Sequence, residues 1–245
     1  MEAIYKALCS DFYVNQKVSV KLDLPSTRET VLDLFERVRR AFPGMQSFRR
    51  YEEELALESD SSDIPHRWLA IRPGHIRSGV VNADTLEDAY GLHRCVLEVA
   101  PYFLSISSLD IEFVELLFGF DLHAAGNHDA IVAAALVCES PLGALLEIDG
   151  ATPVDFQPLF GFRLGGVGQG MEAHFEVKTR RTPDEGKPDP ISIYLTMRQF
   201  DPGGNVEDLP TVLTRLAAEG QRLVDSTLVP SLLTPIRSAI ATMGG

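Results

Sequence analysis

Residues 117–126 read LFGFDLHAAG and residues 159–168 read LFGFRLGGVG, so six of ten positions are identical at a spacing of 42 residues. In both copies apolar side chains alternate along the chain, which is the pattern of a β-strand with one buried face. A turn-rich stretch and a second apolar run follow each copy, at 130–137 and 171–179. The sequence therefore predicts two hairpins, related either by an internal duplication or by a chance match between two buried aromatic strands.

The chain before the first copy alternates between strand and helix patterns. Residues 12–24 alternate as a strand, and Ser26-Thr27-Arg28-Glu29 has the spacing of a capping box that begins a helix. The segments RWLAIR and HIRSGVV are either a strand pair across Pro73-Gly74 or one bent strand. Through residue 122 the predicted order is β-α-β-β-α-β, the order of elements in ferredoxin-like folds.

The second half of the chain is predicted to be rich in β-hairpins and to end in a long amphipathic helix. Apolar residues from Leu209 to Leu228 recur at helical spacing, and Pro230 should end or kink that helix. The expected fold class is therefore α+β, with antiparallel sheets. We divide it into a half at 1–125 and a half at 126–245, which together could also form one continuous domain.

Composition narrows the classes of function. The net charge of −13 argues against nucleic-acid binding, which needs a basic surface, and is compatible with a basic protein partner. Three scattered cysteines are typical of a reducing compartment. No apolar run reaches the length of a membrane span, and the first residues lack the pattern of a signal peptide. We therefore expect a cytoplasmic protein that binds neither membrane nor nucleic acid.

A cationic and aromatic stretch is the first candidate ligand-binding site. It comprises Arg67, Trp68, Arg72, His75 and Arg77, and one strand face could present several of these side chains to an anionic ligand. The alternative is a solvated strand face that pairs with the acidic run at residues 52–54, because opposite charges on neighbouring strands attract.

A polar cluster around the first turn is a weak candidate for a metal site. His123, His128 and Asp129 carry side chains that can bind a transition metal. The two histidines lack the spacing of a helical metal motif, and polar residues are common in turns for backbone reasons. We therefore predict no metal and no cofactor.

Two hypotheses for function follow, and no catalytic motif supports a third. The first is a non-catalytic binding or interaction module that binds a protein partner or forms a homo-oligomer. The second is a small-molecule-binding protein or enzyme with an apolar pocket between the sheet and the C-terminal helix, lined by Phe160, Phe162, Phe175 and Met197. The absence of recognisable site chemistry favours the first over an enzyme.

Overall fold

The computed structural model describes residues 5–25, 27–165, 170–179 and 190–243, and it forms a single antiparallel sheet covered by helices. The nine strands are β1 (Asp11–Val20), β2 (Ser47–Arg50), β3 (Leu55–Glu58), β4 (His66–Arg72), β5 (His75–Val81), β6 (Ile111–His123), β7 (Leu159–Leu164), β8 (Met171–Thr179) and β9 (Pro190–Phe200). Their order in the sheet is β2-β3-β4-β5-β1-β6-β9-β8-β7. The sheet thus continues across residue 125, and the division into halves at 1–125 and 126–245 stays a prediction.

The helices pack on one face of the sheet. They are α1 (Arg28–Ala41), α2 (Leu86–Phe103), α3 (His128–Val137), α4 (Leu209–Leu223) and α5 (Thr234–Met243). Side chains of this face alternate along the strands with side chains of the opposite face, so each strand supplies the core at every second residue. Phe118 and Phe120 of β6 lie fully buried under the helices. The opposite face carries ion pairs and aromatic rings.

The mixed α/β class, the antiparallel pairing and the long C-terminal helix are confirmed. Pro230 does not end that helix, because a π-helical stretch, Val224–Leu233, carries it from α4 into α5. A ferredoxin-like first half is not confirmed, since four strands and not two lie between α1 and α2. Of the two alternatives for RWLAIR and HIRSGVV, the strand pair across Pro73-Gly74 is confirmed, as β4 and β5.

The predicted strand at 130–137 is wrong, because these residues form α3. The Asn127 side chain accepts a hydrogen bond from the Ala130 backbone N–H at 3.0 Å and caps this helix. The run AIVAAALV is rich in alanine, which favours a helix once it is capped. Only the second of the two similar stretches, residues 159–168, therefore leads into a hairpin, formed by β7 and β8.

The two copies of the LFGF sequence, at 117–120 and 159–162, also differ in burial. Phe118 and Phe120 are both 0% exposed, whereas Phe160 and Phe162 are both 52% exposed. The two segments are not structurally equivalent, so their sequence similarity does not reflect a duplicated hairpin. A different similarity is present: each half begins with a central strand, β1 or β6, and continues with a helix, a strand meander that returns to pair with the first strand, and another helix.

No helix in the described part of the chain is long and apolar enough to cross a bilayer.

Candidate interaction site

The cationic stretch predicted from sequence is split between the two faces of the sheet. Arg67 points to the helix face, where its Nη2 lies 2.7 Å from both carboxylate oxygens of Asp88 on α2. Trp68, Arg72 and Arg77 point to the opposite face, where the Trp68 ring packs over Gly79. These side chains therefore do not converge on one ligand.

Glu54 is the acidic residue that pairs with Arg72 and Arg77. Its Oε2 accepts hydrogen bonds from Arg72 at 2.7 Å and from Arg77 at 2.5 Å. Burial works against ionisation of Glu54, but the two arginines outweigh it and hold the pKa of this carboxyl below its ordinary value. Of the acidic run at 52–54, only this residue makes the predicted cross-strand pair.

His75 follows the same cluster at the start of β5. Its burial, together with the positive charges of Lys17, Arg77 and Arg72, lowers its pKa to about 4. The ring is thus neutral at physiological pH and adds no charge to this surface. Pairing within the chain accounts for Arg67, Arg72 and Arg77, and their role as ligand-binding residues stays a prediction.

The weak metal candidates have structural partners. His128 Nε2 lies 3.0 Å from the Ala124 carbonyl oxygen, and Asp129 accepts a hydrogen bond from the Phe156 backbone N–H at 2.9 Å. His123 is exposed at the end of β6. Among the described residues, no group of three or more histidine, cysteine, aspartate or glutamate side chains could hold a metal ion.

The aromatic pocket expected under the C-terminal helix does not form from the residues named for it. Phe175 and Met197 are core residues, whereas Phe160 and Phe162 lie on the edge strand β7 and are half exposed. Above Met197, the close approach of Gly220 on α4 leaves no space: a Cβ there would lie 2.4 Å from the Phe118 ring. Phe160 and Phe162 therefore lie on the helix face of the sheet beside Phe175, but at its edge, where they stay half exposed.

Exposed large apolar side chains are concentrated in the segment of the chain that leads into and includes β7. Seven of the fifteen exposed large apolar side chains in the described chain fall between residues 142 and 162. They are Leu142, Leu145, Ile148, Val154, Leu159, Phe160 and Phe162, of which the last three lie on β7 itself. Exposed apolar surface beyond scattered single side chains favours an interaction site. We call these seven side chains the apolar edge.

β7 is also the last strand at one end of the sheet, and no other described strand pairs with its outer side. The Val177 backbone N–H donates to the Pro158 carbonyl oxygen at 3.0 Å, which sets the phase of the β7–β8 ladder. Because hydrogen-bonded and non-hydrogen-bonded pairs alternate in an antiparallel ladder, Phe160, Phe162 and Leu164 bond to β8. The N–H and C=O groups of Leu159, Gly161 and Arg163 therefore point away from β8, toward the open edge.

The two edges of the sheet are guarded differently. The other edge, β2, has only four residues, and two of them, Arg49 and Arg50, are charged. Short length and charge are the usual devices that prevent pairing with another strand. β7 has six residues, all but the last of them exposed, and only Arg163 among them is charged. It lacks the protection that β2 has.

A concave surface lies at the β2 end of the molecule and is a second candidate site. This cavity of about 540 Å³ is lined by the apolar side chains of Leu24, Val31, Leu55 and Ile71. Its lining also includes the charged residues Arg28 of α1, Arg50 of β2, Glu52 and Glu53. The sequence reasoning missed this site because its walls come from elements separated by up to fifty residues.

Comparison with known proteins gives no family for this chain. No family model matches it, and no curated protein is significantly similar to it. An RNA triphosphatase from S. pombe aligns with 95% of this chain and 83% of its own, at 10% identity and a TM-score of 0.13, which is too low to indicate a shared fold.

Proposed function

We propose that the protein is a non-catalytic interaction module that accepts an extended strand along β7. Two observations carry the proposal: the apolar edge, which holds seven of the fifteen exposed large apolar side chains of the described chain, and the outward backbone groups of β7. Strand addition uses both features, because main-chain hydrogen bonds give affinity and alternate side chains enter apolar contacts. A paired strand would cover Phe160 and Phe162 on the helix face.

The test measures amide hydrogen exchange in the presence of short capped peptides with alternating apolar and polar residues. Docking on β7 should slow exchange at Leu159, Gly161 and Arg163 and change it far less at Phe160 and Phe162, whose N–H groups already bond to β8. This alternation distinguishes strand pairing from non-specific coating. Uniform slowing along β7, or slowing only elsewhere, would contradict the proposal.

Arg163 offers a matched pair of variants. Arg163→Pro removes one outward N–H without touching the β8 ladder, and edge strands tolerate proline at such positions. Arg163→Ala removes the same side chain, with its 3.4 Å ion pair to Glu172, but keeps the N–H. We expect peptide binding to weaken about tenfold in the proline variant, on the scale of one lost hydrogen bond, and to persist in the alanine variant.

The cavity between α1 and the β2 end supports a second candidate function, the binding of an apolar carboxylate. Its volume lies in the usual range for small-molecule sites, and its floor is apolar. Arg28 and Arg50 make no ion pair with another described residue, whereas Glu54 is already neutralised by two arginines. A carboxylate head could bind these two guanidinium groups while its apolar body lies on Leu55 and Ile71.

Calorimetry with a fatty acid and with the alcohol and amine of the same chain length shows which head group the cavity prefers. The acid should bind most tightly, and Arg50→Gln should weaken it about tenfold because a charged hydrogen bond is lost. Arg49→Gln is the matched control, since Arg49 projects from the opposite face of β2. Tighter binding of the amine, through Glu52 and Glu53, would refute this candidate.

A further inference from the structure

From the geometry of β7, we propose that the strand received at this edge is β7 of a second copy of the same chain. This inference rests on the proposed function, because it names the partner of the apolar edge. In this dimer the two sheets join across a two-fold axis into one continuous sheet.

The outward backbone groups select one antiparallel register. Leu159, Gly161 and Arg163 face the open edge, so a second β7 can use all three only when Gly161 lies opposite its own copy. Leu159 of one copy then lies opposite Arg163 of the other. Any shift by two residues leaves one outward residue on each strand without a partner.

The side chains fit this register on both faces. On the helix face, Phe160 lies opposite Phe162 of the other copy, so four half-exposed rings meet in two cross-strand pairs. Aromatic cross-strand pairs are among the more stabilising contacts in sheets. Their burial removes the most exposed aromatic surface of the sheet from water.

The opposite face avoids the clash that symmetry usually creates. A two-fold axis places identical residues opposite each other, and here that residue is Gly161, which has no side chain. Arg163 meets Leu159 rather than a second arginine, so no like charges lie directly opposite. It also keeps Glu172 as its neighbour on β8, at 3.4 Å.

The charge of the rest of the molecule opposes this association only weakly at physiological salt. Each copy carries a net charge of −13, so two copies repel each other at long range. Salt screens this repulsion but not the strand pairing and ring contacts. The affinity of the dimer should therefore increase as salt is added, whereas the affinity for a basic partner would decrease.

Disulfide trapping tests the register without touching the four phenylalanines. The background carries Cys138→Ser, because Cys138 is the exposed cysteine of the three. Leu159→Cys and Arg163→Cys are made as two separate proteins and mixed in equal amounts under mild oxidation. In the proposed register these positions face each other with Cα atoms about 5.5 Å apart, within disulfide range.

Each variant alone is the matched control. Residue 159 of one copy lies four residues along the strand from residue 159 of the other, about 14 Å, which no disulfide spans. We expect cross-linked dimer in the mixture, where about half of the dimers contain one copy of each variant, and almost none in either variant alone. Sedimentation of the unmodified protein should give twice the mass of one chain.

Each other outcome overturns the inference. A monomer with no cross-link in the mixture excludes the second copy, and a dimer that cross-links equally in the single variants has another register. A dimer without cross-links uses another surface. If the peptides still slow exchange at Leu159, Gly161 and Arg163 in a monomeric protein, the proposed function survives and only its partner is wrong.

Discussion

His93 lies in a polar cluster buried between α2 and the sheet. Its Nδ1 is 2.8 Å from Ser78 Oγ, and the same hydroxyl donates to Gln16 Oε1 at 3.0 Å. All three residues are at most 1% exposed. The register of β1 against β5 places Gln16 opposite Ser78 and so brings both to His93.

Acid should destabilise the protein through His93. Burial lowers the pKa of His93 from 6.5 to about 3. Below pH 6.5 the unfolded chain takes up a proton that the folded protein does not, so the free energy of unfolding falls as the pH drops toward 3. This stability is fully present only above the unfolded pKa.

Urea unfolding between about pH 7 and about pH 5 measures this effect. His93→Gln keeps a polar side chain and removes the titration. Its free energy of unfolding should fall less steeply with pH, by up to about 1.4 kcal/mol per pH unit. Equal slopes in the variant and the unmodified protein would show that His93 takes up its proton without unfolding.

At the scale of one element, α4 shows how closely a helix approaches the sheet. Gly220 faces the strands, and a Cβ at this position would lie 2.4 Å from the Phe118 ring and 3.1 Å from Met197 Cγ. Phe118 and Met197 are fully buried, so neither can move aside without disturbing the core. The close contact accounts for the glycine at this position, although glycine has a low helix propensity.

Gly220→Ala and Gly91→Ala should therefore change stability in opposite directions. Alanine normally stabilises a helix by about 0.5–1 kcal/mol over glycine, and Gly91 of α2 has nothing within 4 Å of its Cβ position. At Gly220 overpacking should outweigh that gain and cost about 1–3 kcal/mol. Thermal and urea unfolding of both variants measure the two signs, and stabilisation by both would mean that α4 packs less tightly.

At the scale of the whole molecule, position in the sheet decides what a strand does. The two copies of LFGF have the same local pattern, yet one lies in the centre of the sheet and the other at its edge. β6 has a strand on each side and α4 above it, so its phenylalanines are fully buried. β7 has a single neighbour, and its phenylalanines form the surface that we assign to association.

Much of the local structure could be predicted from sequence. Alternation predicted β1, β6, β7 and β8, and the apolar stripe from Leu209 predicted the C-terminal helix, because these patterns depend on the geometry of a single element. Of the two alternatives for the cationic stretch, charge pairing with the acidic run at 52–54 is present, through Glu54. The sequence did not predict α3, since an alanine-rich apolar run is compatible with a strand or a helix until its cap is recognised.

The sequence by itself determined the α/β class, most of the strands and the alternation of apolar side chains along them, because each follows from spacing along the chain. The tertiary structure alone decided that Arg67 pairs with Asp88, that Glu54 bridges Arg72 and Arg77, and that β7 is an open edge. The physical reason is that burial and pairing depend on which strands and helices become neighbours. Two identical stretches of four residues can therefore become core in one place and a candidate interface in the other.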